Sequence, residues 1–160
     1  MTTQVWQDTR YQPGLGARRA ASWTLDLPLL VIGRLIFGGF FLYSGIDHFM
    51  NRGMMITYAS SMGVPYPEIA ILGTGALLFV GGMGIMTGLW PRLGAACVML
   101  FLVGVTPVMH AFWNDPAGPQ RMNNLANFTK NIGLFGAATI LAAIPAHWAH
   151  RPRAERNSDE

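Results

Sequence analysis

The stretch EIAILGTGALLFVGGMGIMTGLW, residues 68–90, decides the fold of this chain. After its first residue it contains no charged side chain, and no polar face recurs at the 3.6-residue period of a helix. A hydrocarbon core about 30 Å thick needs roughly 20 helical residues to cross. The stretch therefore predicts a helix that spans a membrane, because a helix in a soluble bundle would carry a polar face.

Three further stretches have the same length and character. They are LPLLVIGRLIFGGFFLYSGIDHFM at 27–50, RLGAACVMLFLVGVTPVMHAFW at 92–113 and NLANFTKNIGLFGAATILAAI at 124–144. The composition agrees, since 51% of the chain is hydrophobic and only 12% is charged, which excludes an ordinary soluble enzyme domain. None of the stretches alternates polar and apolar residues like a barrel strand. The sequence predicts an all-α integral membrane four-helix bundle over residues 27–145.

The flanking segments indicate how the bundle is oriented. Residues 1–26 and 146–160 are polar, and four crossings place both on one side, here called side A. Side A then carries seven basic residues and side B three, which predicts a multi-pass protein of the inner (plasma) membrane with both termini in the cytoplasm. The side A residues are Arg10, Arg18, Arg19, Arg92, Arg151, Arg153 and Arg156, and those of side B are Arg52, Arg121 and Lys130. This bias accounts for the basic charge, so the expected surroundings are a lipid bilayer and no nucleic acid.

The connections differ between the two sides. On side B, residues 51–67 read NRGMMITYASSMGVPYP and predict a short interfacial helix between the first two spans, ended by Gly63 and Pro65. On side A, Pro91 predicts a tight hairpin that opens the third span. The side B segment NDPAGPQRMN, residues 114–123, predicts a loop.

Glycine spacing predicts how the helices pack. The six glycines form three pairs at intervals of four or seven residues: Gly84 and Gly88, Gly75 and Gly82, and Gly38 and Gly45. Small residues let helix backbones approach closely. The pattern favours packing within or between subunits, so a homo-oligomer is left open, and the alternative is room for a flat ligand or a lipid tail.

Alternating crossings also bring the ionisable and amide side chains near the helix ends to side B. On the fourth span, residues 127, 130 and 131 share a face that should look into the bundle. The candidate polar pocket consists of Asp47, His48, Glu68, His110, Asn127, Lys130 and Asn131. Ser44 shares the face of His48, whereas Asp47 points about 100° away and is suited to the loop.

Several chemistries fit this cluster. Its members can pair with one another, with Asp47 or Glu68 neutralising Lys130. They can instead hold a quinone head by hydrogen bonds from the histidines or the lysine, with a carboxylate exchanging protons. A metal would find acceptable ligand types but no spaced motif, and none is predicted. Haem ligation would need His48 and His110 to face each other across the bundle.

Other chemistries are excluded. Cys97 is the only cysteine, which rules out the quinone-linked disulfide oxidoreductases of four-helix type. The chain has no phosphate-binding loop and no GxSxG motif. Arg34 lies apart from the cluster, nearer side A, where it either extends to headgroups or enters the bundle.

Four motifs together give a resemblance to a known family. GRLIFGGFFLYSGIDHF at 33–49, YASSMGVPYPE at 58–68, HAFW at 110–113 and NLANFTKNIGLFGA at 124–137 resemble the DoxX family of small membrane proteins. The resemblance covers roughly residues 27–145. It implies a four-helix membrane fold. In many relatives a lysine precedes the aromatic residue that ends the first span, where this chain has His48.

For the name-giving members, the resemblance implies a quinone-linked thiosulfate oxidoreductase or a terminal quinol oxidase system. Other relatives are implicated in assemblies that handle oxidative stress. The expectation here is a membrane subunit of a quinone-linked redox system that works with a membrane or redox partner protein and is not an autonomous enzyme. The alternative is a non-enzymatic accessory or assembly protein of a larger membrane complex.

Overall fold

The computed structural model describes residues 13–144, with side chains from residue 28 onward, and all regular structure in that range is helical. The prediction of an all-α protein is confirmed. The helices are α1 (Pro13–Met50), α2 (Arg52–Ser61), α3 (Pro67–Thr87), α4 (Pro91–Met109) and α5 (Pro119–Ala143), with a 3-10 turn at Phe112–Asn114. Expectations that concern residues 1–12 and 145–160 fall outside the described range.

Helix boundaries differ from the predicted spans in three places. α1 begins at Pro13, well before residue 27, and α4 ends at Met109 before the chain enters the 3-10 turn. The prediction of a loop over residues 114–123 is wrong in its second half, because α5 already begins at Pro119. The physical reason is that proline fits the first turn of a helix, where its missing N–H is not needed.

Residues up to Gly33 and residues from Arg34 onward belong to two separate units. The first contains the early turns of α1. The second contains the rest of α1 and the helices α2 to α5.

Side-chain contacts show that the four long helices alternate in direction. Gly38 and Gly45 of α1 meet Gly82 and Phe79 of α3 respectively, so these two helices run antiparallel. α3 turns into α4 through Gly88, which has a left-handed backbone (φ 71°) that favours glycine. A bond from Arg92 at the start of α4 to the Ile144 carbonyl after α5 makes that pair antiparallel too. The shared core consists of Phe41, Leu78, Ile85, Val98, Leu102 and Ala138.

Three helical segments in the described range are long and apolar enough to cross a membrane: Pro28–Met50, Pro67–Thr87 and Pro91–Asn114. Their outward faces carry large apolar side chains, as a lipid-facing surface requires. α5 has 25 residues, which is sufficient length, but its first half is rich in asparagine. That α5 crosses as a fourth span remains a prediction.

The backbones of α1 and α3 approach too closely for any side chain larger than hydrogen. A Cβ atom on Gly38 would lie 2.6 Å from the Met86 nitrogen, and one on Gly45 would lie 2.6 Å from the Phe79 nitrogen. A Cβ on Gly82 would lie 2.6 Å from the Gly38 carbonyl oxygen. Real Cβ atoms do not come this close to backbone, so this seam depends on glycine.

The remaining glycines singled out from the sequence also lie against their own chain. A Cβ on Gly84 would lie 3.1 Å from the Trp90 carbonyl oxygen, and one on Gly75 would lie 3.0 Å from Cβ of His48. Gly88 packs against the guanidinium of Arg34, whose Nε is buried and has no hydrogen-bond partner in the described residues. Arg34 therefore contacts the end of α3.

Candidate functional site

The alternating helices bring the end of α1, the start of α3, the end of α4 and the start of α5 to one end of the bundle, here called the B end. His48 lies in the last turn of α1, and His110 follows directly after α4. Pro107 lies in the last turn of α4 and lacks the N–H that would bond to the carbonyl four residues earlier. Two histidines from different helices therefore lie at the same end of the bundle.

A cavity of about 490 Å³ opens between α2, α3 and α4, and is here called the apolar cavity. Its polar side chains are His48, Tyr58, Thr74 and His110. The hydroxyl of Thr74 is already used, because it donates to the Ala70 carbonyl at 2.7 Å. The rest of the lining is aliphatic, aromatic or thioether: Met55, Ala59, Val64, Ala70, Ile71, Leu77, Leu100, Phe101, Gly104, Val105, Val108 and Met109.

A second, smaller cavity of about 180 Å³ lies between α1, α4 and α5, and is here called the polar chamber. Five of its lining residues carry polar side chains: Ser44, His48, His110, Lys130 and Asn131. Its apolar members come from the core and its edge: Phe40, Phe41, Leu78, Phe101, Leu102, Val105 and Leu134. The chamber contains no carboxylate in its lining.

The two cavities share a wall. His48, Phe101, Val105 and His110 line both of them and are here called the two-histidine wall. The rings of His48 and Phe101 meet edge to face, with centroids 6.2 Å apart and an interplanar angle of 80°. An imidazole in this wall therefore has the apolar cavity on one side and the polar chamber on the other.

The hydrogen bond of His48 fixes how its ring can be used. Its Nδ1 lies 2.8 Å from the carbonyl oxygen of Ser44, one turn earlier on α1. A carbonyl oxygen can only accept, so Nδ1 must carry a hydrogen and donate it. The neutral ring then offers Nε2 as an acceptor, and the protonated ring offers Nε2 as a donor.

His110 has an unsatisfied ring nitrogen. Its Nδ1 is buried and has no hydrogen-bond partner among the described residues. A buried polar atom without a partner costs free energy, on the order of 1–3 kcal/mol, unless a ligand or water supplies the bond. This nitrogen is therefore a candidate contact for a bound ligand or a water molecule.

Amide side chains place the start of α5 beside the chamber. Lys130 is exposed, and its Nζ donates to Oδ1 of Asn127 at 2.8 Å, while the Asn127 amide donates to the Asn123 carbonyl at 3.0 Å. Asn131 is buried, and its amide donates to the hydroxyl of Thr106 on α4 at 3.2 Å. The bond between Asn131 and Thr106 joins α5 to α4 one turn before His110, whereas the bonds of Lys130 and Asn127 lie within α5.

The structure brings four of the seven predicted pocket residues together around the chamber: His48, His110, Lys130 and Asn131. Asn127 supports Lys130 from outside the lining. Asp47 accepts a hydrogen bond from Asn51 at the end of α1, and Glu68 lies 3.9 Å from Arg52 in an exposed ion pair. In the described part of the chain, Lys130 is thus paired with an amide, where the sequence suggested Asp47 or Glu68.

Sequence reasoning missed several residues of the site. Thr106 precedes His110 by four residues and so shares its face of α4, a spacing that could have identified it. Phe101 and Val105 gave no signal, because aromatic and β-branched residues are ordinary in such a span. Asp115 accepts a bond from buried Asn124 at 2.7 Å and so ties the 3-10 turn to α5.

No group of three histidine, cysteine or acidic side chains in residues 28–144 is close enough together to hold a metal ion. Comparison with known proteins gives the family. The DoxX family model matches residues 29–111, just over half of the chain. The chain belongs to the DoxX family. The family match includes His48 and His110 and ends before α5.

This DoxX protein is also similar to the inner membrane protein YphA of Escherichia coli strain K12. The two are 27% identical over 117 residues, which cover 71% of this chain and 81% of that protein. No solved structure matches the chain. In this DoxX protein, the polar chamber therefore combines histidines from the family region with Lys130 and Asn131 from outside the matched range.

Proposed function

We propose that this DoxX protein is an inner-membrane subunit that binds a quinone head at the two-histidine wall and works with a partner redox protein. The observation that carries the proposal is the presence of two imidazoles in the wall of a mostly apolar cavity. One of them, His110, has a buried nitrogen without a partner in the described residues. In this proposal the subunit is not an autonomous enzyme.

The size and lining of the apolar cavity suit this ligand class. Sites for small molecules are typically about 300–1,000 Å³, mostly apolar, with a few convergent polar groups. The apolar cavity has about 490 Å³ and two such groups in His48 and His110. A quinone has a flat ring, two carbonyl oxygens and an apolar tail, so its ring would contact the wall and its tail the aliphatic lining.

Each redox form of the ligand would find a matching histidine. A quinol hydroxyl can donate to Nε2 of neutral His48, and a quinone carbonyl can accept from the same nitrogen when the ring is protonated. His110 Nδ1 supplies the second position. Histidine is suited to this exchange because it gains and loses protons near neutral pH.

The first half of α5 supports the presence of a partner. It exposes Lys130 and several amides, although α5 packs beside three strongly apolar helices. Polar groups on a membrane helix face protein or water in preference to lipid. A redox protein covering this half of α5 would lie beside the wall and would exchange electrons with the bound quinone.

The relative supports the proposed location, and the charge distribution supports the proposed orientation. YphA is an inner membrane protein by name, and the excess of basic residues at the termini favours a cytoplasmic position for both. The B end and the two-histidine wall would then lie near the opposite surface of the inner membrane.

The test is quinone binding to the purified protein in lipid nanodiscs, measured by equilibrium titration with a short-chain benzoquinone and with menadione. His48→Leu and His110→Leu should each weaken binding about tenfold, or about 1.4 kcal/mol. Gly104→Phe should also weaken it, because Gly104 lines the cavity and a Cβ there meets open space. Gly73→Phe is the matched control on α3, since Gly73 also faces open space but lines neither cavity.

Equal affinities in all four variants would contradict a quinone site at the wall. An assembly role is the second candidate and is favoured by Gly133 and Gly136 of α5, where an added Cβ meets nothing within 4 Å. Small residues on an open face allow another helix to approach. Isolation of a native complex that contains no quinone and tolerates both histidine substitutions would favour that role.

A further inference from the structure

The polar chamber is lined by more polar side chains than quinone binding at the two-histidine wall requires. Five side chains with exchangeable hydrogens surround about 180 Å³: Ser44, His48, His110, Lys130 and Asn131. They come from α1, α4 and α5, while α3 contributes only apolar Leu78. A space lined in this way holds water far better than the apolar cavity behind the wall does.

Lys130 connects this chamber with the outside of the bundle. It lines the chamber, yet its side chain is exposed, and Asn127 holds its Nζ at 2.8 Å. Asn127 in turn bonds to Asn123, nearer the start of α5. The ammonium group can thus exchange protons with water at the B end and with water in the chamber.

From these observations we propose that the polar chamber is the proton route of the quinone site, and that Lys130 is the proton carrier at its outer edge. The proposal rests on the proposed function and adds the path by which protons reach the wall. His48 and His110 complete the path, because each lines both the chamber and the apolar cavity.

A quinone takes two electrons from the partner redox protein and two protons from water, and two new O–H bonds convert it to the quinol. Each reduced oxygen is a basic oxyanion before it is protonated, so a wall imidazolium can supply its proton. The imidazole is protonated again through the chamber as an N–H bond of the Lys130 ammonium breaks, and the neutral amine regains a proton from water.

The experiment measures proton uptake directly. The protein in nanodiscs is saturated with a short-chain benzoquinone, reduced with a photoreduced flavin, and followed by quinol absorbance and by a pH dye in weak buffer. Lys130→Met should slow proton uptake on the order of 100-fold. Lys130→Arg should slow it as much, because a guanidinium keeps the charge but does not release a proton. Arg121→Gln is the control, since it removes a positive charge from the start of α5 without touching the chamber.

Methylamine added to Lys130→Ala should restore the rate, because alanine leaves room for a small amine that can carry protons. Ser44→Leu is an independent test of the chamber, since leucine fills the chamber and leaves the charge of Lys130 in place. The Ser44 hydroxyl bonds only to the Phe40 carbonyl of its own helix in the described residues. Ser44→Leu should therefore slow proton uptake at saturating quinone.

Two results would overturn the proton route while leaving quinone binding intact. One is proton uptake in Lys130→Arg as fast as in the unaltered protein, which would make Lys130 a source of charge only. The other is unchanged uptake in Ser44→Leu. If the unaltered protein binds no quinone, the proposed function fails, and the route fails with it.

Discussion

The seam between α1, α3 and α4 differs in kind from the B end of the same bundle. Along the seam, backbone lies on backbone, and Gly38, Gly82 and Gly94 leave no space even for a methyl group. At the B end, two cavities separate the helices, and four of the residues between them form the two-histidine wall. The tight seam holds α1 and α4 in fixed positions, so that His48 and His110 line the same two cavities.

The seam stabilises the bundle, and the B end contains the cavities. Close glycine contacts stabilise membrane helices by packing and not by burial of apolar surface, which lipid would cover equally well. The stability gained along the seam permits an incomplete core at the B end, including the unsatisfied nitrogen of His110. Unfilled space and unpaired polar atoms are costly, and such costs are typical of binding sites.

The largest expected effect comes from breaking the seam. Gly82→Ala should lower the free energy of unfolding by about 2 kcal/mol or more, because its Cβ would overlap the backbone of Leu42 on α1. Titration with SDS in mixed micelles measures this. Gly39→Ala is the matched control, since a Cβ there meets open space. The control should gain up to about 1 kcal/mol from better helix propensity. Equal stability of the two variants would show that α1 and α3 are not in backbone contact.

An intermediate effect should follow from loosening the B end. Thr106→Val removes the hydroxyl that accepts the bond from buried Asn131. The expected loss is about 1 kcal/mol, measured by the same titration. Asn131→Leu in the same background removes the orphaned amide, so the double variant should recover part of the loss. A double variant as unstable as the sum of the two single variants would mean that the two side chains do not interact.

The smallest effect is expected at the surface of the B end. Glu68→Gln breaks the ion pair with Arg52, but both side chains are largely exposed and lie 3.9 Å apart. Solvent screens such a pair, so the free energy of unfolding should change by less than about 0.5 kcal/mol. Quinone affinity in the nanodisc titration should also remain unchanged. A clear loss of affinity would mean that Glu68 contributes to quinone binding, although it lines neither cavity.

The seam could be predicted from the sequence more fully than the site. The length of the apolar stretches predicted the long helices. Pro67 and Pro91 indicated where two of them begin, because proline fits the first turn of a helix. Pro119 begins a third helix, but residues 114–123 are rich in Pro, Gly and Asn, which favoured a loop. The pairing of Gly38 with Gly82 is not visible in one sequence, although each glycine suggested close packing.

The site could be predicted only in part, because spacing shows which residues share a face but not which way the face turns. The separation of Asp47 from His48 followed from the helical period. The same period placed Asn127 and Lys130 on one face, but the sequence suggested Asp47 or Glu68 as the partner of Lys130, and the structure pairs it with Asn127. The two cavities did not follow, since empty space depends on how α2, α4 and α5 meet. The place of Phe101 in the wall likewise required the structure.

The most direct test of the central claim is photolabelling of the protein in nanodiscs with an azido-benzoquinone, with the modified residues mapped by mass spectrometry. Labels should fall on lining residues of the apolar cavity, such as Phe101, Val105 and Tyr58, and should be lost when excess unlabelled quinone competes. Labels confined to lipid-facing residues such as Leu93 and Ile140, with no effect of the competitor, would contradict a quinone site at the two-histidine wall.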